Sequence, residues 1–161
     1  MGKFDWFWKA MGSTTERNNK KSKAVVANAH GLIEELSFLD DASLASAVAS
    51  TVCDGAIADK PRFLAGLSVA SQRTLGMTPF EVQNQAVLRL LEGDVIQMAT
   101  GEGKTLVGAM AATGFALQGK RVHLITVNNY LAARDAEWMR PLVEFFGLTV
   151  AAVTESSTRE E

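Results

Sequence analysis

The clearest pattern of apolar and polar positions lies in the second half of the chain, where short apolar runs alternate with segments of helical spacing. The runs near residues 95–98, 122–127 and 148–153 have the length and β-branched content typical of strands. Two helical segments lie between these runs. The first covers residues 106–117, and the second has apolar positions at Leu131, Trp138, Leu142 and Phe145. This alternation predicts an α/β fold with a parallel β-α-β-α-β sheet, right-handed crossovers and a ligand at the carboxyl ends of the strands.

Residues at the ends of these two helical segments support the assignment. Gly119 and Gly147 follow the last apolar helical positions, where glycine commonly terminates a helix. Asn128 or Asn129 can cap the second helix, because an asparagine side chain accepts a hydrogen bond from the first free backbone N–H groups.

The first half of the chain divides into two regions. Residues 24–76 are rich in Ala, Ser and Leu at helical spacing, with breaks near Asp54-Gly55 and Lys60-Pro61. Residues 1–23 hold six basic and two acidic side chains. Together with residues 77–161, which carry the alternating pattern, these regions give three segments.

One apolar stripe at helical spacing falls within the first eleven residues, at Phe4, Phe7, Trp8 and Met11. An amphipathic helix followed by a basic segment suits an anionic membrane surface. The same stripe could instead pack against the protein's own apolar surface, and the sequence favours neither reading.

Composition narrows the class of protein only a little. The chain has 161 residues, 47% of them hydrophobic and 21% charged, which is typical of a globular domain with its own core. The formal net charge of −2 gives no general basic field for nucleic acid, and a single cysteine, Cys53, excludes an internal disulfide framework. No apolar run approaches the ~18 residues of a membrane span.

A candidate phosphate-binding site lies between the first predicted strand and the helical segment that follows it, in the run Thr100-Gly101-Glu102-Gly103-Lys104-Thr105. Glycines allow successive N–H groups to turn inward around an anion, and the helix that follows adds its free N–H groups and positive dipole end. Lys104 would reach the β and γ phosphates of a nucleotide, and the Thr105 hydroxyl would bind Mg²⁺. Met98 stands where the full P-loop pattern has glycine, so the alternative is an ordinary glycine turn capped by Thr100.

Three ordered blocks extend this motif into a resemblance to a family. They are Gly76 to Gln83, Thr100 to Thr105, and a long block from Val122 to Ala132 that continues through Arg134 to Glu137, Arg140 to Leu142 and Phe146 to Val150. In order and spacing the chain resembles SecA, the ATP-driven motor of bacterial protein export. The resemblance implies a P-loop NTPase fold of the helicase superfamily 2 type, with ATP and Mg²⁺ as cofactors.

The resemblance also assigns roles to residues outside the loop. Met77 and Phe80 match positions that line the adenine pocket, and Gln83 matches a glutamine that reads adenine. A glutamine amide can accept from the N6 amine of adenine and donate to N7, a pairing that guanine does not offer. Taken alone, Gln83 would be a solvated helix residue. Arg134 matches a position near the nucleotide, although an exposed helix arginine paired with Asp135 or Glu137 fits nearly as well.

Some positions depart from the family pattern. SecA usually has basic residues where this chain has Thr78 and Ala99, and Asp where it has Asn129. These differences suggest an accessory SecA paralogue.

The acidic pair that hydrolysis requires is not evident in this sequence. Asp135 and Glu137 lie within a helical pattern, and Asp40 or Asp41 is better interpreted as a helix cap. We therefore interpret residues 77–161 as an incomplete first nucleotide-binding domain, with Lys104 and Thr105 as its catalytic contribution. The 161 residues alone should bind ATP weakly at most, without hydrolysing it.

The resemblance implies a cytoplasmic motor, peripherally associated with the plasma membrane, that pushes preproteins through a SecYEG-type channel. Anionic lipid, through residues 1–23, and a second SecA protomer are further expected partners. One alternative is a truncated, non-catalytic module that binds membrane or a partner. A nucleic-acid helicase fragment is disfavoured, because the chain has no basic or aromatic surface for nucleic acid.

Overall fold

The computed structural model describes residues 14–155 and 157, with side-chain burial from residue 19 onward. Its described elements, in chain order, are α1 Thr14–Ser37, α2 Asp41–Ala49, β1 Val52–Cys53, β2 Ala56–Ile57, α3 Lys60–Leu75, α4 Glu81–Leu91, α5 Lys104–Leu117 and α6 Asn129–Phe145. The predicted apolar stripe at Phe4 to Met11 lies outside the described residues. None of the described helices combines the length and apolar character needed to cross a membrane.

Helix α3 is the centre of the packing. Every residue from Phe63 to Ser71 is buried, and the helix contacts α1, α2 and α6. Asp59 caps its start by accepting a hydrogen bond from the Arg62 N–H at 3.0 Å, and Gly76 ends it with a φ of 67°. A helix surrounded in this way has no solvent-facing stripe along its middle, which explains its run of small and apolar residues.

Helices α4 and α5 form a second layer beside the one made by α1, α2 and α3, and the loop predicted to hold phosphate connects them. Helix α4 packs against α5 and α1, and α5 packs against α6. The buried side chains of both layers form one continuous core, in which Phe63 of α3 lies close to Gly114 of α5. The loop between α4 and α5 is therefore fixed to the same core as the N-terminal helices.

The only β-ladder among the described residues is antiparallel and falls where the sequence predicted a helix break. Val52 pairs with Ile57 and Cys53 with Ala56, around a turn in which Asp54 has a φ of 50° and Gly55 a φ of 72°. Asp-Gly between short apolar pairs is a strong hairpin signal, because both central residues of a type I′ turn need positive φ. The prediction recognised the break but not the hairpin.

The predicted parallel β-α-β sheet is not confirmed in the described part of the chain. The segments 95–98, 122–127 and 148–153 are non-helical, as predicted, yet none of them forms a ladder with another. Several of their side chains are strongly exposed, with Val95 at 99%, Ile125 at 91% and Val127 at 87%. Alternating apolar residues favour a strand only where a neighbouring strand pairs with it, and periodicity along one segment cannot supply that neighbour.

Candidate functional site

The predicted phosphate loop connects a non-helical segment to the first turn of α5. Gly101 has a φ of 86°, and Gly103 has a φ of 76° and a ψ of 39° immediately before the helix begins at Lys104. A side chain at either glycine would be strained, since residues with a Cβ rarely adopt this left-handed backbone. The first N–H groups of α5 have no partner within the helix and lie beside this turn. The local geometry therefore suits an anion.

Lys104 and Glu102 both bind the peptide groups of Ala99. The Lys104 Nζ donates to the Ala99 carbonyl at 2.8 Å, while a Glu102 carboxylate oxygen accepts from the Ala99 N–H at 2.6 Å. The Nζ of Lys104 is thus bonded to a neutral carbonyl, and no carboxylate of the described residues is in ion-pair contact with it. The two bonds fold the loop back on Ala99, the residue that precedes it.

Gln83 joins helix α4 to this loop. It is only 6% exposed, its Oε1 accepts from the Phe80 N–H at 2.8 Å, and its Nε2 donates to the Glu102 carbonyl at 2.9 Å. An added Cβ on Gly103 would collide with the same Nε2, so the close approach requires glycine there. The reading of Gln83 as a solvated helix residue is therefore wrong.

The other residues predicted for the adenine side precede α4. Met77 is 45% exposed and Phe80 is 73% exposed. The Ser71 hydroxyl donates to the Met77 carbonyl at 2.8 Å, and Phe80 is the N-cap residue of α4. Both side chains are thus available to a ligand beside Gln83. Their role in adenine binding stays a prediction.

Arg134 is not joined to the loop by any hydrogen bond in the described residues. Its guanidinium donates to the adjacent Asp135 carboxylate at 3.0 Å from Nε and 2.6 Å from a terminal nitrogen. Glu137, the other suggested partner, accepts instead from Arg140 at 3.1 Å. The helix begins as predicted from an asparagine, since Asn128 accepts from the Leu131 N–H at 2.9 Å.

Asp40, which the sequence suggested as a helix cap, has this structural role. Asp40 caps α2 by accepting from both the N–H and the hydroxyl of Ser43, each at 2.9 Å. The Ser43 N–H is the main cause that lowers the pKa of Asp40, and the Ser43 hydroxyl adds to it. No group of three or more His, Cys, Asp or Glu side chains that could hold a metal occurs in the described residues.

A cavity of about 610 Å³ lies away from the loop. It is lined by residues of α5, α6 and the segments 122–129 and 149–153, including His123 and Asp135. No phosphate-loop residue contributes to it, and sequence analysis did not anticipate it.

A glycine loop with left-handed backbone, followed at once by Lys104 and Thr105 at a helix start, has the organisation of a P-loop. The family model described as the SecA DEAD-like domain matches residues 7–161. The chain belongs to this family, which carries a helicase-like P-loop fold, and the resemblance found in the sequence is confirmed.

The similar proteins agree with the family assignment. The chain is 62% identical over 161 residues to protein translocase subunit SecA 2 of Corynebacterium efficiens, covering 100% of this chain and 21% of that protein. It is 63% identical over 155 residues to SecA 2 of Corynebacterium glutamicum strain R, covering 96% and 20%. It is 49% identical over 157 residues to protein translocase subunit SecA 3 of Mycolicibacterium vanbaalenii, also covering 96% and 20%. The chain thus spans about a fifth of the length of these relatives.

Proposed function

We propose that this chain supplies the ATP-binding loop and the adenine-reading side of a SecA-type protein translocase motor. The observation that carries the proposal is the Gln83–Glu102 hydrogen bond of 2.9 Å, because it joins the candidate base-reading residue to the candidate phosphate loop. The match to the SecA DEAD-like domain supports it independently.

The residues fit a nucleotide with Mg²⁺. Gly101 and Gly103 have no Cβ and hold left-handed backbone on either side of Glu102, and α5 presents its N-terminal N–H groups. Lys104 can exchange the Ala99 carbonyl for phosphate oxygens without breaking an ion pair. Thr105 is exposed in the first turn, where its hydroxyl can join a metal shell. Mg²⁺ held in part by the Thr105 hydroxyl would neutralise phosphate charge.

Gln83 can read adenine without releasing the loop. An amide has two N–H donors and two acceptor lone pairs, and Phe80 and Glu102 use one of each. The remaining donor and lone pair match N7 and the N6 amine of adenine, whereas guanine presents two acceptors, N7 and O6, on that edge. The residues therefore favour ATP over GTP.

Binding is tested by titrating the ¹⁵N-labelled chain with MgATP and MgGTP and following the amide signals of Gly101, Gly103 and Thr105. We expect shifts confined to the loop and to the start of α4, larger with ATP than with GTP at equal concentration. Lys104→Ala should abolish them. Lys120→Ala removes an exposed lysine beyond the end of α5 and serves as the matched control. Unshifted loop signals at millimolar MgATP, or equal shifts in Lys104→Ala, would contradict the proposal.

We further propose that this chain alone does not hydrolyse ATP. The described residues bring no pair of carboxylates to the loop: Asp40 caps a helix, while Asp135 and Glu137 are bonded to arginines of α6. The measurement is inorganic phosphate release from the purified chain. Steady release that is lost in Lys104→Ala would refute this.

In the whole motor, ATP binding and hydrolysis would drive preproteins through a SecYEG-type channel, with a cytoplasmic motor at the inner face of the plasma membrane and pairing with a second SecA protomer. The relatives' name, protein translocase subunit, supports this.

Anionic lipid binding by residues 1–23 can be tested with tryptophan fluorescence, because the variant Trp138→Phe leaves Trp6 and Trp8 as the only tryptophans. A fluorescence blue shift with anionic vesicles would support lipid binding, and an unchanged spectrum would exclude it.

A further inference from the structure

Glu102 occupies an unusual position in the phosphate loop, since it bonds to other residues through three of its own groups. Its carboxylate accepts from the Ala99 N–H at 2.6 Å, its N–H approaches the Ala99 carbonyl at 3.4 Å, and its carbonyl accepts from Gln83 at 2.9 Å. None of these contacts uses the Lys104 side chain or the free N–H groups at the start of α5, which would meet phosphate.

The two residues beside Glu102 explain why such contacts matter. Gly101 and Gly103 both have positive φ, and glycine loses more conformational freedom on ordering than any other residue. A loop that is disordered without nucleotide would lose this freedom on binding and would bind correspondingly less well. The side-chain bond from residue 102 to residue 99 closes a ring around Gly101 before any ligand arrives, whereas the peptide group that precedes Gly103 is held by Gln83.

We propose that Glu102 is a positioning residue of the nucleotide site, whose carboxylate holds the Ala99 N–H and so arranges Gly101 for phosphate in advance. The proposal rests on the proposed ATP binding for its effect on affinity, but not for its effect on the loop. On nucleotide binding, Lys104 leaves the Ala99 carbonyl while the Glu102 carboxylate keeps the Ala99 N–H.

If the same carboxylate had a different role, its removal would change the affinity for MgATP in the opposite direction. Glu102 adds a negative charge to a loop that is to receive a triphosphate, and like charges repel. If the carboxylate acted mainly through its charge, or as a latch that must open, its removal would tighten binding. The hydrogen bond and the charge are separable, because glutamine keeps an acceptor oxygen at the same place and carries no charge.

The experiment compares the full chain with Glu102→Ala, Glu102→Gln and the control Glu34→Ala, which removes an exposed carboxylate from α1. Loop order is measured without nucleotide, as the ¹⁵N–{¹H} NOE of the Gly101 and Gly103 amides. Affinity is then measured by titration with MgATP. We expect Glu102→Ala to lower the NOE value of Gly101 and to weaken MgATP binding about three- to tenfold, the range of one net hydrogen bond. Glu102→Gln should retain the NOE values and most of the affinity, and Glu34→Ala should match the unmodified chain.

Three outcomes would overturn the proposal. The first is an unchanged Gly101 NOE value in Glu102→Ala, and the second is Glu102→Gln behaving like Glu102→Ala, since the charge and not the hydrogen bond would then be responsible. The third is tighter MgATP binding by Glu102→Ala, which would show that the carboxylate opposes binding, through its charge or as a latch. If the unmodified chain binds no MgATP, the proposed function fails for this chain, while the NOE comparison still decides whether Glu102 orders the loop.

Discussion

Replacing Gly103 by alanine tests the geometry of the loop most directly. Gly103 has a φ of 76°, so a Cβ strains the backbone, and the added carbon would also meet the Nε2 of Gln83. Gly101→Ala is a matched control, because Gly101 has a φ of 86° and, apart from its two chain neighbours, no described residue has an atom within 4 Å of its added Cβ.

The two substitutions should differ by the cost of displacing Gln83. Left-handed backbone costs a residue with a Cβ roughly 1–2 kcal/mol, and both variants incur that cost. Gly103→Ala must in addition push away a buried amide, losing its bond to the Glu102 carbonyl, which is worth about 0.5–1.5 kcal/mol net. Gly101→Ala should therefore lower the free energy of unfolding by about 1–2 kcal/mol and Gly103→Ala by about 1 kcal/mol more.

Urea unfolding followed by circular dichroism measures both changes, and NMR of the Gln83 side-chain amide reports whether it has moved. The loss of freedom that alanine imposes on the unfolded chain is the same in both variants and cancels in the comparison. Equal destabilisation of the two variants, with an unmoved Gln83 amide signal, would refute the reasoning that Gly103 is required by the approach of Gln83.

Two further predictions concern the helices that support the site. The pKa of Asp40 is lowered in the folded chain by the Ser43 N–H, so its cap stabilises α2 at pH values above the ordinary Asp pKa, and this stabilisation is lost as the pH falls through the lowered pKa. In Asp40→Asn the amide oxygen also caps the helix but does not titrate, so urea unfolding of this variant should lack the pH-dependent loss. An identical pH profile of stability in both chains would argue against the prediction. Gly66→Ala should lower the free energy of unfolding by about 1–3 kcal/mol, because the added Cβ would collide with Val48 where α2 crosses α3. At Gly31 the added Cβ meets no described residue beyond its own helix turn, so Gly31→Ala should instead stabilise α1 by about 0.5–1 kcal/mol. Similar unfolding free energies for both glycine variants would contradict the tight crossing.

The loop and the helices around it were predictable because their signals are local. Glycines before Lys104 indicated the turn, Asn128 the start of α6, and Asp40 the cap of α2. In each case the residue acts on backbone groups within four positions of itself, which a single sequence displays.

What the sequence did not reveal depends on groups distant along the chain. The burial of Gln83 follows from its contact with Glu102, nineteen residues later. The ladders expected at 95–98, 122–127 and 148–153 require a neighbouring strand, which the described residues do not provide. The hairpin around Asp54-Gly55 was an exception, since its signal was local and was interpreted only as a helix break.

The complete burial of α3 from Phe63 to Ser71 has a consequence for how the chain unfolds. A helix with neighbours on every side cannot detach without opening α1, α2 and α6 together, and Phe63 extends the contact to α5. We expect a single cooperative transition, in which backbone amides of α3 exchange with solvent only on global unfolding. A ligand that binds at Gly101 to Thr105 would then raise the melting temperature reported by helices at the opposite side of the core.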